Sequence, residues 1–379
     1  MAMQRLFQLM QEQKASDMFF AVQTPVHLKI NGELIPVNQQ PLSADNIHAL
    51  LAEIATPEQL AELARSNELN IGISAPGLGR FRLSAFRQRG QISAVFRYIP
   101  AAISSLTELR LPPILAQLIM EKRGLLLMVG ATGSGKSTTI AAMLDQRNAE
   151  RSGHILTLED PIEYLFQNRK SIVNQREIGS DASDFATALR NAMRQAPDCI
   201  VIGEIRDREA MAAALAYAQS GHLVIATLHA NNAYNALHRI LSFYPIENRP
   251  ALLQDLASTL KAIVSQRLLQ SASGGQRTAA VEVMLNTRHI SELIEQGEIV
   301  QIRDAMEQSL SPGSQTFEQA LLKLLQQGLI SQDEALAHAD SATNLLWLLN
   351  NGPDSRTATA SPAEAAPAAA SFSGFQLNG

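Results

Sequence analysis

The sequence predicts an α/β fold, in which a P-loop domain follows a smaller α+β domain and leads into a helical C-terminal part. Three observations predict it. The apolar run 125–129 reads as a buried parallel strand and breaks into Gly130-Ala131-Thr132-Gly133-Ser134-Gly135-Lys136-Ser137, a full phosphate-binding P-loop pattern. Two further apolar stretches, 154–158 and 198–203, each run into carboxylates, at the strand ends where open α/β sheets bind ligands. Ahead of both, residues 1–99 carry short alternating strands, turns and two helical patterns, the signature of a separate α+β unit.

The P-loop is the most specific of the three. Gly130, Gly133 and Gly135 let the backbone curl so that its N–H groups point inward at a phosphate. The helix beginning near Ser137 and Thr138 adds the positive end of its dipole. Lys136 is placed to reach the outer phosphates, and the Ser137 hydroxyl to hold Mg²⁺. A nucleoside triphosphate is the expected ligand.

The bulk properties narrow the class. The 379 residues suffice for two or three domains, and 46% apolar with 18% charged residues is a soluble globular composition. A net charge of −5, with no basic stretch interleaved with aromatics, argues against a nucleic-acid partner. The single cysteine, Cys199, excludes an intrachain disulfide and a cysteine-cluster zinc site, and fits a reducing cytoplasm. Residues 1–14 lack the apolar core of a signal peptide, and no stretch approaches about 18 uninterrupted apolar residues. Direct membrane insertion is therefore not expected.

Taken in order, residues 3–14 form an amphipathic helix with Leu6, Leu9 and Met10 on one side. Strands follow at 16–22 and 26–30, with Asn31-Gly32 as a hairpin turn. Residues 42–65 hold two helical patterns, the second opening at the cap Thr56-Pro57. After a strand at 70–73 and a turn at 76–79, residues 80–87 and 91–97 form a hairpin. In it Phe81, Leu83 and Ala85 share one face and Arg80 and Arg82 the other. Those arginines are either a solvated sheet face or a reach toward another part of the molecule. Residues 100–112 read as a linker and 113–350 as the nucleotide-binding domain with its C-terminal helices.

Beyond the P-loop helix, the strand 154–158 ends in Glu159-Asp160-Pro161-Ile162-Glu163. This is either a carboxylate site or, at Asp160-Pro161, a helix cap. A helix over 184–193 sets Arg190 and Arg194 one turn apart, equally a solvated face or a reach toward nucleotide or neighbour. The run 198–203 leads into Glu204, a Walker-B-type acid that holds Mg²⁺ or polarises the attacking water. Another strand runs from His222 to His229, and this bracketing tilts His229 toward a phosphate or hydrolysis sensor. The remainder reads as helices at 233–243, 251–269, 291–296, 316–327 and 331–350, with one strand, 278–284, carrying Glu282. Residues 351–379, rich in Ala, Pro and Ser, cannot bury a core and read as a disordered tail. Phe372 to Leu377 within it is either a docking motif or an unselected terminus.

Several of these motifs occur in a fixed order that resembles the secretion-superfamily ATPases of type IV pili and type II secretion, and within them the PilT/PilU retraction family. The matching residues are the P-loop, the run 155–163 (the family's Asp box), 197–207 (its Walker B) and 221–229 (its His box), with Val173 to Glu177 and Arg80-Phe81-Arg82. The resemblance implies a PAS-like N-terminal domain, a RecA-like ATPase domain and a homo-hexameric ring. It implies that Arg82 and Arg97 cross to the nucleotide phosphates, that Glu204 is the catalytic carboxylate, and that Glu159 positions Mg²⁺ or water. Glu163 supports the Asp box and His229 senses the γ-phosphate. It further implies a PilT-type retraction ATPase and a PilC-type inner-membrane platform protein as partners, at the cytoplasmic face of the inner membrane.

Departures from the family pattern refine this. One cysteine excludes the tetracysteine module of the assembly and secretion branch. Arg288-His-Ile-Ser-Glu-Leu-Ile294 stands where PilT has Ala-Ile-Arg-Asn-Leu-Ile, and Gln195-Ala196 stands where it has Glu-Asp. With the added tail, these favour an accessory, PilU-like retraction ATPase. A regulatory subunit with little activity of its own, a pilus-assembly motor and a nucleic-acid translocase are the alternatives.

Overall fold

The structure, a computed structural model, describes residues 2–30, 32–99, 102–275 and 277–351. Asn31 of the expected hairpin turn, residues 100–101 of the expected linker, and residues 352–379 of the expected tail lie outside the described residues.

The N-terminal part opens with α1 (Ala2–Glu12), β1 (Asp17–Phe20), β2 (His27–Ile30) and β3 (Glu33–Pro36). Two helices follow, α2 (Ala44–Ala52) and α3 (Pro57–Ser66). Thr56 caps α3 with a reciprocal Thr56–Gln59 capping box and Pro57 at its start, the arrangement the Thr-Pro pair predicts. Then come β4 (Glu68–Ala75), β5 (Gly79–Gln88) and β6 (Gln91–Ile99). Among the described residues these six strands form one antiparallel sheet in the order β3-β2-β1-β6-β5-β4. Alternation along β5 buries Phe81, Leu83 and Ala85 against Phe7, Met10 and Phe96, so the other face is left to Arg80 and Arg82.

The second part holds α4 (Ile114–Leu118), β7 (Gly124–Val129), α5 (Lys136–Glu150), β8 (Gly153–Glu159), β9 (Ser171–Glu177) and α6 (Phe185–Ala192). It continues through β10 (Cys199–Ile202), α7 (Arg208–Gln219), β11 (Leu223–Leu228), α8 (Ala233–Ser242) and α9 (Arg249–Thr259). β12 (Leu260–Gln270) and β13 (Arg277–Leu285) close the sheet. Its order is β13-β12-β7-β11-β10-β8-β9, parallel throughout except for the β12–β13 pair. Every residue of β7, β10 and β11 is buried, as strands covered on both faces must be. Leu125, Leu127 and Val129 pack with α6, α7 and α8, while Leu126 and Met128 pack with α4 and α5, so one strand serves two cores.

The C-terminal helices are α10 (Arg288–Gln296), α11 (Ile302–Glu307), α12 (Phe317–Gln326), α13 (Gln332–His338) and α14 (Ala342–Asn351). Among the described residues no helix is long and apolar enough to cross a membrane.

Two expectations of single helices are corrected. The helix expected over 251–269 is α9 followed by β12, because the β-branched Ile263 and Val264 enter a fully buried slot beside β7. The helix expected over 331–350 is α13 and α14. Ala339 is extended, Asp340 pairs with Arg267, and the Ser341 hydroxyl accepts from Asn344 N–H to start the second helix. β9 is an addition, its exposed Ile172 and Asn174 blurring the apolar run.

Candidate nucleotide site

Parallel register decides where the polar residues meet. Val129 lies opposite Leu228, Ala226 opposite Ile202, Ile202 opposite Leu158, and Glu159 opposite Glu177. The P-loop after β7, His229 after β11, Glu204 after β10 and Glu159 at the end of β8 therefore share one edge, the carboxyl ends of four adjacent strands.

The P-loop backbone depends on its glycines. Gly130 has φ +152°, and a Cβ there would lie 2.4 Å from the Ser134 Oγ and 2.6 Å from the Gln266 carbonyl. Gly135 has φ +90° and precedes α5 with no side-chain cap, so the first N–H groups of the helix are offered to a ligand. Ala131, Thr132 and Gly133 form the exposed outer turn, with Ser134 N–H donating to the Ala131 carbonyl. Ser137 and Thr138 stand in the first turn of α5, half-buried. Lys136 is buried and donates to the Gly130 and Ala131 carbonyls at 2.7 and 2.8 Å. Burial lowers its pKa, and the negative charges of Glu204 and Glu163 oppose that shift.

The carboxylates are individually supported. The Glu159 Oε1 accepts from the Thr157 hydroxyl at 2.6 Å and from Gln175 Nε2 at 3.1 Å, and its Oε2 accepts from the Glu163 N–H at 3.4 Å. Burial raises the Glu159 pKa above the ordinary carboxylate value, while those donors pull it down. Glu204 accepts from Arg206 Nε at 2.8 Å and lies 3.3 Å from His229 Nε2. No helix begins at Asp160, so the cap reading of Asp160-Pro161 is overturned and the segment remains a loop. Tyr164 in this loop shares a 2.9 Å hydrogen bond with Thr138 of α5.

The residues present fit a nucleoside triphosphate. The Ser134 Oγ is buried without a hydrogen-bond partner inside the loop, and the uncapped helix start faces the same space. Among the described residues no group of three or more His, Cys, Asp or Glu is arranged to hold a metal by protein ligands alone. Ser137 with Glu159 and Glu204 suits Mg²⁺ held largely by phosphate oxygens and water.

Other expected residues fall elsewhere. Arg82 stands between Gly72 of β4 and Arg97 of β6, and the Arg97 Nε donates to Asp17 at 2.9 Å. No hydrogen bond or ion pair among the described residues joins either arginine to the P-loop. Arg80 instead crosses between the sheets: its Nε donates to the Ile162 carbonyl at 2.8 Å, and its Nη2 pairs with Glu177. Glu177 also accepts the Ile162 N–H at 3.0 Å. A Cβ at Gly72 would fall on the Arg80 guanidinium, so only glycine leaves that path open. His222 sits at the start of β11 and contacts the Tyr217 carbonyl, so the two histidines do not act together and only His229 joins the carboxylates. Arg190 is an exposed surface partner of Glu209. Thr157, Gln175, Glu177 and Arg80 all lie inside recognised motifs without being marked there as site residues, whereas Gln266, which accepts from the Thr139 hydroxyl at 2.7 Å, lies in a stretch whose spacing predicts helix.

A parallel α/β sheet with a P-loop and carboxylates along its carboxyl edge defines a P-loop nucleotide-binding protein of the ATPase type. Comparison with known proteins carries this to a family. The model of the type II/IV secretion system protein family matches residues 2–276. The type IV pilus ATPase PilU of Pseudomonas aeruginosa is 46% identical over 355 residues, 94% of this chain and 93% of that one. The type IV pilus retraction ATPase PilT of the same organism is 38% identical, covering 88% of this chain and 96% of its own length. The crystal structure of the pilus retraction motor PilT with bound ADP superposes with a TM-score of 0.84 at 37% identity, covering 91% and 98% of the two chains. The chain belongs to the type II/IV secretion system ATPase family, in its PilT/PilU type IV pilus retraction group.

Two outcomes test this geometry. Arg80→Ala leaves Glu177 without its cation and is expected to cost about 3 kcal/mol in urea unfolding. Arg80→Lys, unable to fork between Glu177 and Ile162, should recover only part. Thr157→Val removes a donor to the Glu159 carboxylate, raising its pKa further. If ionised Glu159 serves turnover, the acid limb of ATP turnover should move to higher pH.

Proposed function

We propose that this chain is an ATP-hydrolysing motor for type IV pilus retraction, working as a homo-hexamer and as an accessory, PilU-like partner of a PilT-type motor. The observation that carries the proposal is the meeting of Lys136, Glu159, Glu204 and His229 along one sheet edge in a chain 46% identical to PilU.

In this reading the P-loop N–H groups and Lys136 hold the ATP phosphates, and Ser137 holds Mg²⁺ with Glu159 and Glu204 through water. Mg²⁺, when bound, supplies charge neutralisation on the phosphates. Glu204 orients and polarises the attacking water, with Arg206 and His229 fixing its two oxygens. His229 is the group beside Glu204 that meets the γ-phosphate, and Glu163 holds Glu159 through its backbone N–H. Positioning and charge stabilisation carry the rate. Closure of the N-terminal sheet over the nucleotide brings Arg82 and Arg97 to the phosphates, and Arg97 then exchanges Asp17 for phosphate. The pulling direction, the PilC-type platform partner and the position at the cytoplasmic face of the inner membrane follow from the same family reading.

Purified chain assayed for ATP binding and turnover tests it, alone and with a hydrolysis-dead PilT-type hexamer. Lys136→Ala should lose both binding and turnover. Glu204→Ala should bind ATP and turn it over about 100-fold more slowly or worse; wild-type turnover in that variant would remove the catalytic assignment. Turnover that rises with the dead partner supports the accessory role, and equal turnover alone marks an autonomous motor.

A further inference from the structure

The loop that carries His229 is held from its far side by three charged residues that the nucleotide chemistry does not use. Glu282 of β13 is buried, and its Oε1 accepts from the Ala233 N–H at 2.7 Å, the first residue of α8, and from the Ser265 hydroxyl at 2.9 Å. Arg267, two residues beyond Ser265 on β12, donates to the Asn231 carbonyl at 3.1 Å. The same guanidinium pairs with Asp340, donates to the His338 carbonyl, and lies over the Phe317 ring at 3.8 Å. Asp340 completes the circuit by accepting from Asn232 Nδ2 at 2.8 Å. Three consecutive residues after Ala230 are thus gripped by backbone or side chain. The grip originates in β12, β13 and the turn between α13 and α14.

A buried carboxylate at a helix N-terminus is stabilised by the helix dipole and by charge-assisted hydrogen bonding. Desolvation opposes it: burial pushes the Glu282 carboxyl up to about 7, Asp340 adds to the rise and Arg267 counters it. Arg303 of α11 and Glu318 of α12, which pair with each other, line the same small cavity. A carboxylate kept buried at this cost, with one donor at the start of α8, four residues after His229, and the other on β12, has a positional role.

We propose that Glu282 is a positioning residue for His229, and that Glu282, Arg267 and Asp340 form the contact through which the C-terminal helices set the histidine loop. The inference rests on the reading of His229 as the γ-phosphate sensor. Glu282 touches neither nucleotide nor reacting atoms, so its effect must pass through His229 and be absent when His229 is absent.

The test measures affinity for ATPγS and for ADP, each with Mg²⁺, in the full chain and its variants. Wild type should prefer ATPγS, and His229→Ala should lose that preference. Glu282→Ala should weaken ATPγS about 10-fold while ADP stays within about 2-fold, and Glu282→Gln, which keeps the accepting oxygen, should restore most of the preference. The double variant Glu282→Ala with His229→Ala should be no worse than His229→Ala alone. If Glu282→Ala does not fold, Asp340→Ala should show the same selective loss at about 3-fold. Wild type without preference for ATPγS overturns the reading of His229. Loss of preference in His229→Ala with none in the folded Glu282 or Asp340 variant, or additive losses in the double variant, overturns the inference while leaving that reading intact.

Discussion

The parallel register of β7, β11, β10 and β8 is the constraint on which the remainder depends. These strands present N–H and C=O groups to each other inside two apolar cores, so their polar residues are confined to the strand ends. Because the strands are parallel, all carboxyl ends fall on one edge. The P-loop, His229, Glu204 and Glu159 are neighbours for that reason alone, although they are spread over about a hundred positions of chain.

A second constraint links this edge to the antiparallel sheet. The Arg80 guanidinium reaches Glu177 and the Ile162 carbonyl, and Glu177 takes the Ile162 N–H. Both backbone groups of one residue in the acidic loop are thereby held by an ion pair between the sheets. The pair is largely buried, at 11% and 7% side-chain exposure, so its strength depends on keeping both partners together. The loop that carries Glu163 and steadies Glu159 is therefore sensitive to where the N-terminal sheet stands. The N-terminal sheet and the acidic loop at the carboxyl edge share one physical contact.

Much of this was legible in the residues. The P-loop, the strand-end carboxylates and the Thr56-Pro57 helix start each have a local cause that a short window contains. The α9–β12 junction was not legible, because Leu252, Leu256 and Leu260 continue a helical spacing while the empty position beside β7 draws the following residues into a strand. Arg80 could be placed on the arginine face of β5, but its partner lies 97 residues away on β9, and no local pattern encodes that. His222 and His229 bracket a strand in the sequence, and β11 between them sets the two at opposite edges of the sheet, so only His229 reaches the carboxylates. Glu282 carried no motif at all; its importance comes from burial and from the helix start it meets.

The most direct measurement of the link between nucleotide and sheet position is a pulsed-EPR distance between spin labels at Gln91→Cys on β6 and Glu150→Cys at the end of α5. Both sites are exposed and the single native cysteine, Cys199, is buried. Labelled chain diluted into unlabelled chain would be compared with Mg²⁺ and either ATPγS or ADP. A distance distribution that shifts between the two nucleotides, and no longer shifts in Arg80→Ala, is expected. Identical distributions with both nucleotides in the wild-type chain would contradict a motor driven by closure of the N-terminal sheet.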